Sequence, residues 1–271
     1  GKLFEDEIQC GYHGITYNCE GLCVRIPGQK KIQKTLNVQT YLVHEQHDIV
    51  WIWMGENSLA ETSEIFDMPQ FSQSEWEVNH GEALYLNSNY LNVAENLVDP
   101  AHVSFVHPTT LGSPASEDVP VEFKTDGDVI VAWRWIRNSP PIGFFKEFPG
   151  YKTNVDRWHY YYLHLPSIAV IDFGSIDSKE QIEENQRHLG TQLFALHFLT
   201  PVSSNQTIDR WMHLRNVAVG DENASEKINS MFRVAFAEDK KILEAIQDQT
   251  DHQQIQSPIH IAIDKGSIAY R

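Results

Sequence analysis

Asn96-Leu97-Val98-Asp99-Pro100-Ala101-His102-Val103-Ser104-Phe105-Val106-His107-Pro108 sets two imidazoles and a carboxylate into an otherwise apolar, helix-like stretch. Groups of that kind need partners there. An unpaired buried carboxylate costs on the order of several kcal/mol or shifts its pKa, and neutral histidines among apolar neighbours must find hydrogen bonds or a metal. One metal ion satisfies both imidazoles at once. A residue before proline is pushed out of the α region, so a helix from about Asn89 is predicted to end near His107, turning that ring back towards His102.

Two histidines need a third ligand, and Asp239 is the best candidate. Phe232, Ala235, Phe236, Ile242, Leu243 and Ile246 recur at three- and four-residue steps, which predicts one long helix from about Ala224 to Gln249. Asp239 falls within its apolar stripe, where a carboxylate is paired or metal-bound. Two histidines and one carboxylate with open positions form the facial triad of non-haem Fe(II) sites.

Working outward, the 271 residues hold one or two domains by the prior of roughly 100 to 200 residues each. Hydrophobic content of 41% with 11% aromatic residues excludes a disordered chain. No apolar run approaches a membrane span, and the opening Gly1-Lys2-Leu3-Phe4-Glu5-Asp6 shows no signal peptide, so neither a membrane nor secretion is expected. Three cysteines are too few and too sparse for a disulfide framework and point to a reducing, cytoplasmic compartment. The net charge of −16 argues against nucleic acid as a partner.

Near the start, Cys10-Gly11-Tyr12-His13-Gly14 heads a strand, turn and strand pattern that runs on to Ile26-Pro27-Gly28. A Cys-x-x-His pair can hold one edge of a metal site, or serve as ordinary turn residues. Cys19 and Cys23 read as small buried hydrophobes. Tyr41 to Val43 and Ile49 to Gly55 look like further strands of a small β domain over residues 1–56, and Glu56 to Gln73 reads as a connection. Strands are then predicted over Trp76–Leu86, Val129–Ile136, Arg157–Leu165, Ile168–Phe173, Leu193–Thr200 and Trp211–Val219, with a polar loop at Ser178–His188. Strands closed by one long helix make an α+β domain with a curved antiparallel sheet over residues 57–271.

Taken in order, Cys10-Gly-Tyr-His13-Gly, Pro27-Gly28-Gln29, Trp51-Ile52-Trp53, Asn96 to His102, His107, Pro140-Pro141, Val155-Asp156-Arg157-Trp158, Leu199-Thr200-Pro201 and Glu238-Asp239 resemble the Rieske non-haem iron oxygenases. The likeness is greatest to the vanillate O-demethylase and dicamba monooxygenase group and covers nearly the whole chain. It implies a partial Rieske β domain followed by a START-like helix-grip catalytic domain. It also implies Fe(II) on His102, His107 and Asp239, and a [2Fe–2S] Rieske cluster on Cys10 and His13. One departure stands out: the family's cluster needs a further Cys-x-His pair upstream, and only nine residues precede Cys10. The expectation is a missing N-terminal segment, with half of the cluster's ligands present here.

Asp99 matches the family's bridging aspartate. Three residues before His102, it lies on the same side of a helix, within reach of an imidazole N–H; its bland alternative is a turn aspartate before Pro100. In the family such a carboxylate also touches the Rieske histidine of a neighbouring subunit, which implies a homotrimer. His197, between Leu196 and Phe198 on a strand, is a candidate substrate contact, and Phe144, after the Pro140-Pro141 loop, a candidate rim of the pocket. The resemblance implies a monooxygenase that hydroxylates or oxidatively demethylates a small aromatic substrate with O2. Electrons would come from NAD(P)H through a separate reductase or ferredoxin, since no dinucleotide-binding glycine fingerprint is present. Two other readings remain at this point: a non-catalytic START-like binding protein without a working cluster, and a zinc hydrolase using the same triad.

Overall fold

The computed structural model describes residues 1–61, 65–252 and 259–271, and the chain divides into two compact units, Gly1–Pro69 and Gln70–Arg271. In the first unit, β1 (Lys2–Phe4), β2 (Glu7–Gln9), β3 (Thr16–Tyr17) and β4 (Cys23–Arg25) form an antiparallel sheet in that order, while β5 (Val43–Gln46) and β6 (Ile49–Ile52) pair as a hairpin. Gly21 marks the tight spot. It adopts φ of +76°, and a Cβ there would lie 2.3 Å from the Val38 carbonyl oxygen, so only glycine fits. The connection predicted over Glu56–Gln73 carries short 3-10 turns at Asn57–Leu59 and Pro69–Ser72; residues 62–64 lie outside the described residues.

The second unit is built on one antiparallel sheet. Its order is β7 (Glu77–His80), β14 (Gln206–Arg215), β13 (Thr191–Ser203), β12 (Ile168–Asp177), β11 (Val155–His164), β10 (Val129–Ser139) and β9 (Glu122–Asp126), with β8 (Leu84–Leu86) also pairing with β14. Alternation divides the long strands between two faces. On β11, Trp158 and Tyr160 pack on one side with Val131 and Ile176, whereas Tyr161 and Leu163 join the main core on the other.

That core is closed by α4 (Glu222–His252), which follows Asp221, whose Oδ1 accepts the backbone N–H groups of Asn223 and Ala224 and so satisfies orphan donors of the first turn. Ala224, Ile228, Phe232, Ala235, Phe236, Asp239 and Leu243 are its buried residues, together with Gln247. The strand pattern and the one long helix anticipated this α+β unit with its antiparallel sheet, and the resemblance implied its helix-grip arrangement. Ile242 and Ile246 differ from expectation: both are nearly half exposed, because the buried stripe runs from Phe236 through Asp239 to Leu243 and leaves them on the flank.

The predicted helix from Asn89 to His107 is two pieces. Asn89 caps α1 (Tyr90–Asn96) by accepting the Leu91 N–H, Pro100 interrupts the chain, and α2 (Val103–Val106) is a single turn. Trp76–Leu86 is likewise two strands, and the polar Ser178–His188 segment contains two 3-10 turns with Ile182 buried between them. Phe144 and Phe145 lie on the short helix α3 (Gly143–Glu147).

Candidate metal centre and cavity

His102 and His107 bracket α2, the first at its N-cap and the second at its C-cap, with the rings 5.3 Å apart and edge-on. Gly112 allows this turn to be tight. Its N–H donates to the His107 carbonyl oxygen at 2.8 Å, and a Cβ there would lie 2.4 Å from the Val103 carbonyl oxygen. From α4, Asp239 points its Oδ1 at both rings, 3.1 Å from His107 Nε2 and 3.6 Å from His102 Nε2. Among the described residues these three form the one group of three or more metal-ligating side chains, with ligand atoms all within 4.8 Å of one another.

The hydrogen bonds around the trio determine where its lone pairs point. Nδ1 of His107 lies 2.8 Å from Glu238 Oε2, so in the neutral ring Nδ1–H donates to Glu238 and the lone pair sits on Nε2, facing the Asp239 carboxylate. Asn96 Nδ2 donates to the same Asp239 oxygen at 3.2 Å. Two electron-rich atoms 3.1 Å apart need a cation between or beside them, either a proton or a metal. Protein groups alone answer with a proton: burial lowers the His107 pKa, but Asp239 and Glu238 outweigh it and hold it above the ordinary value. Burial conversely raises Asp239, and the His107 hydrogen bond with both imidazole charges carries it below the usual carboxylate value. Two ring nitrogens and one carboxylate oxygen fit a divalent transition metal with open positions.

Above this trio is a cavity with about 330 Å³ of empty space, some of it continuous with solvent. Its walls are largely apolar: Tyr161, Ile171, Phe173 and Ala195 from the sheet, Phe232 and Phe236 from α4, and Leu97, Val103 and Leu111 from the ligand-bearing segment. Tyr161 is fully enclosed, and burial keeps its phenol protonated.

Asp99 lies on the turn before Pro100, where its Oδ1 accepts the Ala101 N–H at 2.7 Å. Its Oδ2 is 3.8 Å from Nδ1 of His102, a nitrogen with no hydrogen-bond partner. Cys10 and His13 are both exposed at the head of the first unit. The loop is closed by Cys10 N–H to the Ile15 carbonyl at 2.8 Å and Gly14 N–H to the Cys10 carbonyl at 3.0 Å. Backbone N–H groups of Tyr12 and His13 face the Cys10 sulfur and hold its thiol below the ordinary value. Cys23 is buried as anticipated, whereas Cys19 is exposed.

His197 and Phe144 are not among the residues that line the cavity. His197 is buried with Nδ1 2.7 Å from Asp209 Oδ2 and its ring against Phe236, and Phe144 is packed in the core against Phe145 and Phe148. Sequence reasoning missed Glu238 as the partner of His107, Asn96 as the donor to Asp239, and the aromatic walls. Glu238 adjoins Asp239 in the chain and Asn96 lies six residues before His102, but which neighbours turn inward depends on packing.

The profile of the vanillate O-demethylase oxygenase C-terminal domain matches residues 86–271, and that of the Rieske [2Fe-2S] domain matches residues 1–41. The chain belongs to the vanillate O-demethylase group of Rieske non-haem iron oxygenases. The iron-sulfur subunit of a toluene-4-sulfonate monooxygenase system from Comamonas testosteroni is 32% identical over 98% of this chain and 78% of its own length. The dicamba O-demethylase oxygenase component of Stenotrophomonas maltophilia is 27% identical over 91% of this chain and 72% of its own length. The fold matches that of dicamba monooxygenase bound to dicamba with a TM-score of 0.85 at 23% identity, over all of this chain and 79% of that one. As an oxygenase component of this family the chain is a non-haem iron monooxygenase subunit that receives electrons from a separate reductase or ferredoxin. Among the described residues, no helix is long and apolar enough to cross a membrane.

Proposed function

We propose that His102, His107 and Asp239 hold Fe(II) beneath the apolar cavity, and that the cavity takes a small aromatic substrate for hydroxylation or oxidative demethylation. The observation that carries this reading is the convergence of two imidazole nitrogens on one carboxylate oxygen at the floor of a hydrophobic chamber. When bound, the iron supplies reductive O2 activation: with two electrons and two protons, one oxygen atom enters a substrate C–H bond and the other leaves as water. A hydroxylated methoxy or N-methyl carbon then departs as formaldehyde.

The chain's own residues do the rest. Glu238 keeps the His107 ring oriented with Nε2 free, and Asn96 holds the Asp239 carboxylate in place. Phe173, Ile171, Phe232 and Phe236 exclude water and offer flat apolar surface to an aromatic ring. Asp99, below His102, is positioned to accept an N–H from that ring and to act as the bridge by which electrons arrive. Cys10 and His13 hold half of the [2Fe–2S] cluster in a Rieske domain over residues 1–56, and residues 57–271 form the catalytic domain. The working assembly is a homotrimer in the cytoplasm.

The relatives' names suggest the substrates to try: aromatic acids bearing O-methyl groups, as in vanillate and dicamba, and methylated arenesulfonates. Protein purified without oxygen is expected to carry close to stoichiometric non-cluster iron and, with NAD(P)H and a family reductase, to release formaldehyde or a hydroxylated product from at least one of them. Iron far below stoichiometry after reconstitution would remove the reading.

A further inference from the structure

Both imidazoles of the trio hang on one short turn, α2, and a single buried arginine ties that turn to the sheet beneath. Arg134 on β10 is 1% exposed and sends its three donor directions to three elements. Nε–H donates to His159 Nδ1 on β11 at 3.3 Å, Nη1–H to the Ser116 carbonyl oxygen at 2.7 Å, and Nη2–H to Ser104 Oγ at 3.4 Å. Ser104 lies between His102 and His107, and its hydroxyl also pairs with Ser116 Oγ at 2.8 Å, which donates onward to the Ser113 carbonyl.

Arg134 makes no ion pair among the described residues. A buried guanidinium with no carboxylate in contact is costly even with the more distant Asp99 attracting its charge, so its place in the core calls for a role that an apolar side chain would not fill. Its acceptors are all neutral. His159 is itself enclosed, and burial beside Arg134 and Arg157 keeps its ring uncharged, with Nδ1 open to accept.

We propose that Arg134 is a positioning residue: through Ser104 it fixes the separation and orientation of His102 and His107, so that the two rings are set for the metal before it arrives. This rests on the reading of His102, His107 and Asp239 as a metal site. A lysine at 134 keeps the charge but reaches one acceptor instead of three, which loosens the turn while leaving the core filled.

The test is titration of Co(II), a visible substitute for Fe(II), into the wild-type chain, Arg134→Lys and Ser104→Ala, reading affinity by chelator competition, the visible spectrum of the bound ion, and the melting temperature of the metal-free protein. Arg134→Lys is expected to weaken Co(II) binding by about tenfold and to change its spectrum, as loss of outer support to metal ligands does. Ser104→Ala, which removes one prong and keeps the guanidinium, is expected to shift both in the same direction by less, and it carries the test if Arg134→Lys does not fold. Variants that match wild type in affinity and spectrum, even with a lower melting temperature, would make Arg134 merely structural and overturn the proposal. A wild-type chain that binds no Co(II) would instead bring down the triad reading, and the proposal with it.

Discussion

Cys10 and His13 stand exposed on a turn closed by backbone hydrogen bonds, whereas His102, His107 and Asp239 are drawn together from two helices and enclosed between a sheet and α4. The first pair is legible as a motif because both residues lie within one loop. The second set is braced by side chains of its own: Glu238 on one imidazole, Asn96 on the carboxylate, and Ser104, held by Arg134, between the histidines. In this structure Cys10 and His13 are open to solvent, while the trio is surrounded by groups that orient it and shut out water.

Replacing Asp239 with Asn is the severest way to break that contrast. It keeps the volume but removes the charge on which both ring nitrogens converge, and it is expected to abolish stoichiometric Co(II) or Fe(II) binding at the trio, as measured by metal analysis after gel filtration. Retained stoichiometric metal would place the ion elsewhere.

Enclosure in the second unit also predicts a pH effect. His213 is buried, with Nε2 on Asn229 and Nδ1 without a partner. Burial, with Arg215 and His80 nearby, pulls its pKa down to about 4 from 6.5 despite the Asn229 bond. The unfolded chain therefore takes up the proton first. Stability from the neutral ring is full above about pH 6.5 and is lost as pH falls towards 4, by about 3 kcal/mol. Urea unfolding at pH 7 and pH 4.5 should show a loss that is smaller in His213→Gln than in the wild type by most of that amount, the buried His159 contributing equally to both; equal pH profiles would sink the assignment.

Glu238→Gln removes the charge that orients His107 while leaving a hydrogen-bonding group. Co(II) affinity is expected to fall by about tenfold, and an unchanged value would mean that the trio needs no such brace. At the open end of the comparison, in protein stripped of its cluster, Cys10 should react with iodoacetamide several-fold faster than buried Cys23, because backbone N–H groups favour its thiolate. Peptide mass spectrometry over a time course reads this directly, and equal rates would erase the contrast in exposure.

How far the sequence alone could be read follows the same division. The three- and four-residue periodicity between Ile228 and Leu243 was enough to put Asp239 on the buried side of a helix, and Pro100 and Pro108 mark the ends of the interrupted segment around His102. The same periodicity placed Ile242 and Ile246 inside, but a stripe is wider than the face that finds a partner, and the sheet covers only part of it. His197 looked like a pocket residue because it lies among apolar neighbours on a strand; Asp209, directed at it from the adjacent strand, takes it up instead.

Hydrophobic period, proline positions and the ligand types themselves are properties of short stretches, so sequence alone determined the element types and the chemistry of the candidate groups. Tertiary structure decided that one Asp239 oxygen meets two ring nitrogens, that Glu238 rather than a more distant acid steadies His107, and that Arg134 supports the turn from below. Those contacts join residues separated by tens to more than a hundred positions, and their distances follow from how the sheet and α4 pack against each other, which no local pattern encodes.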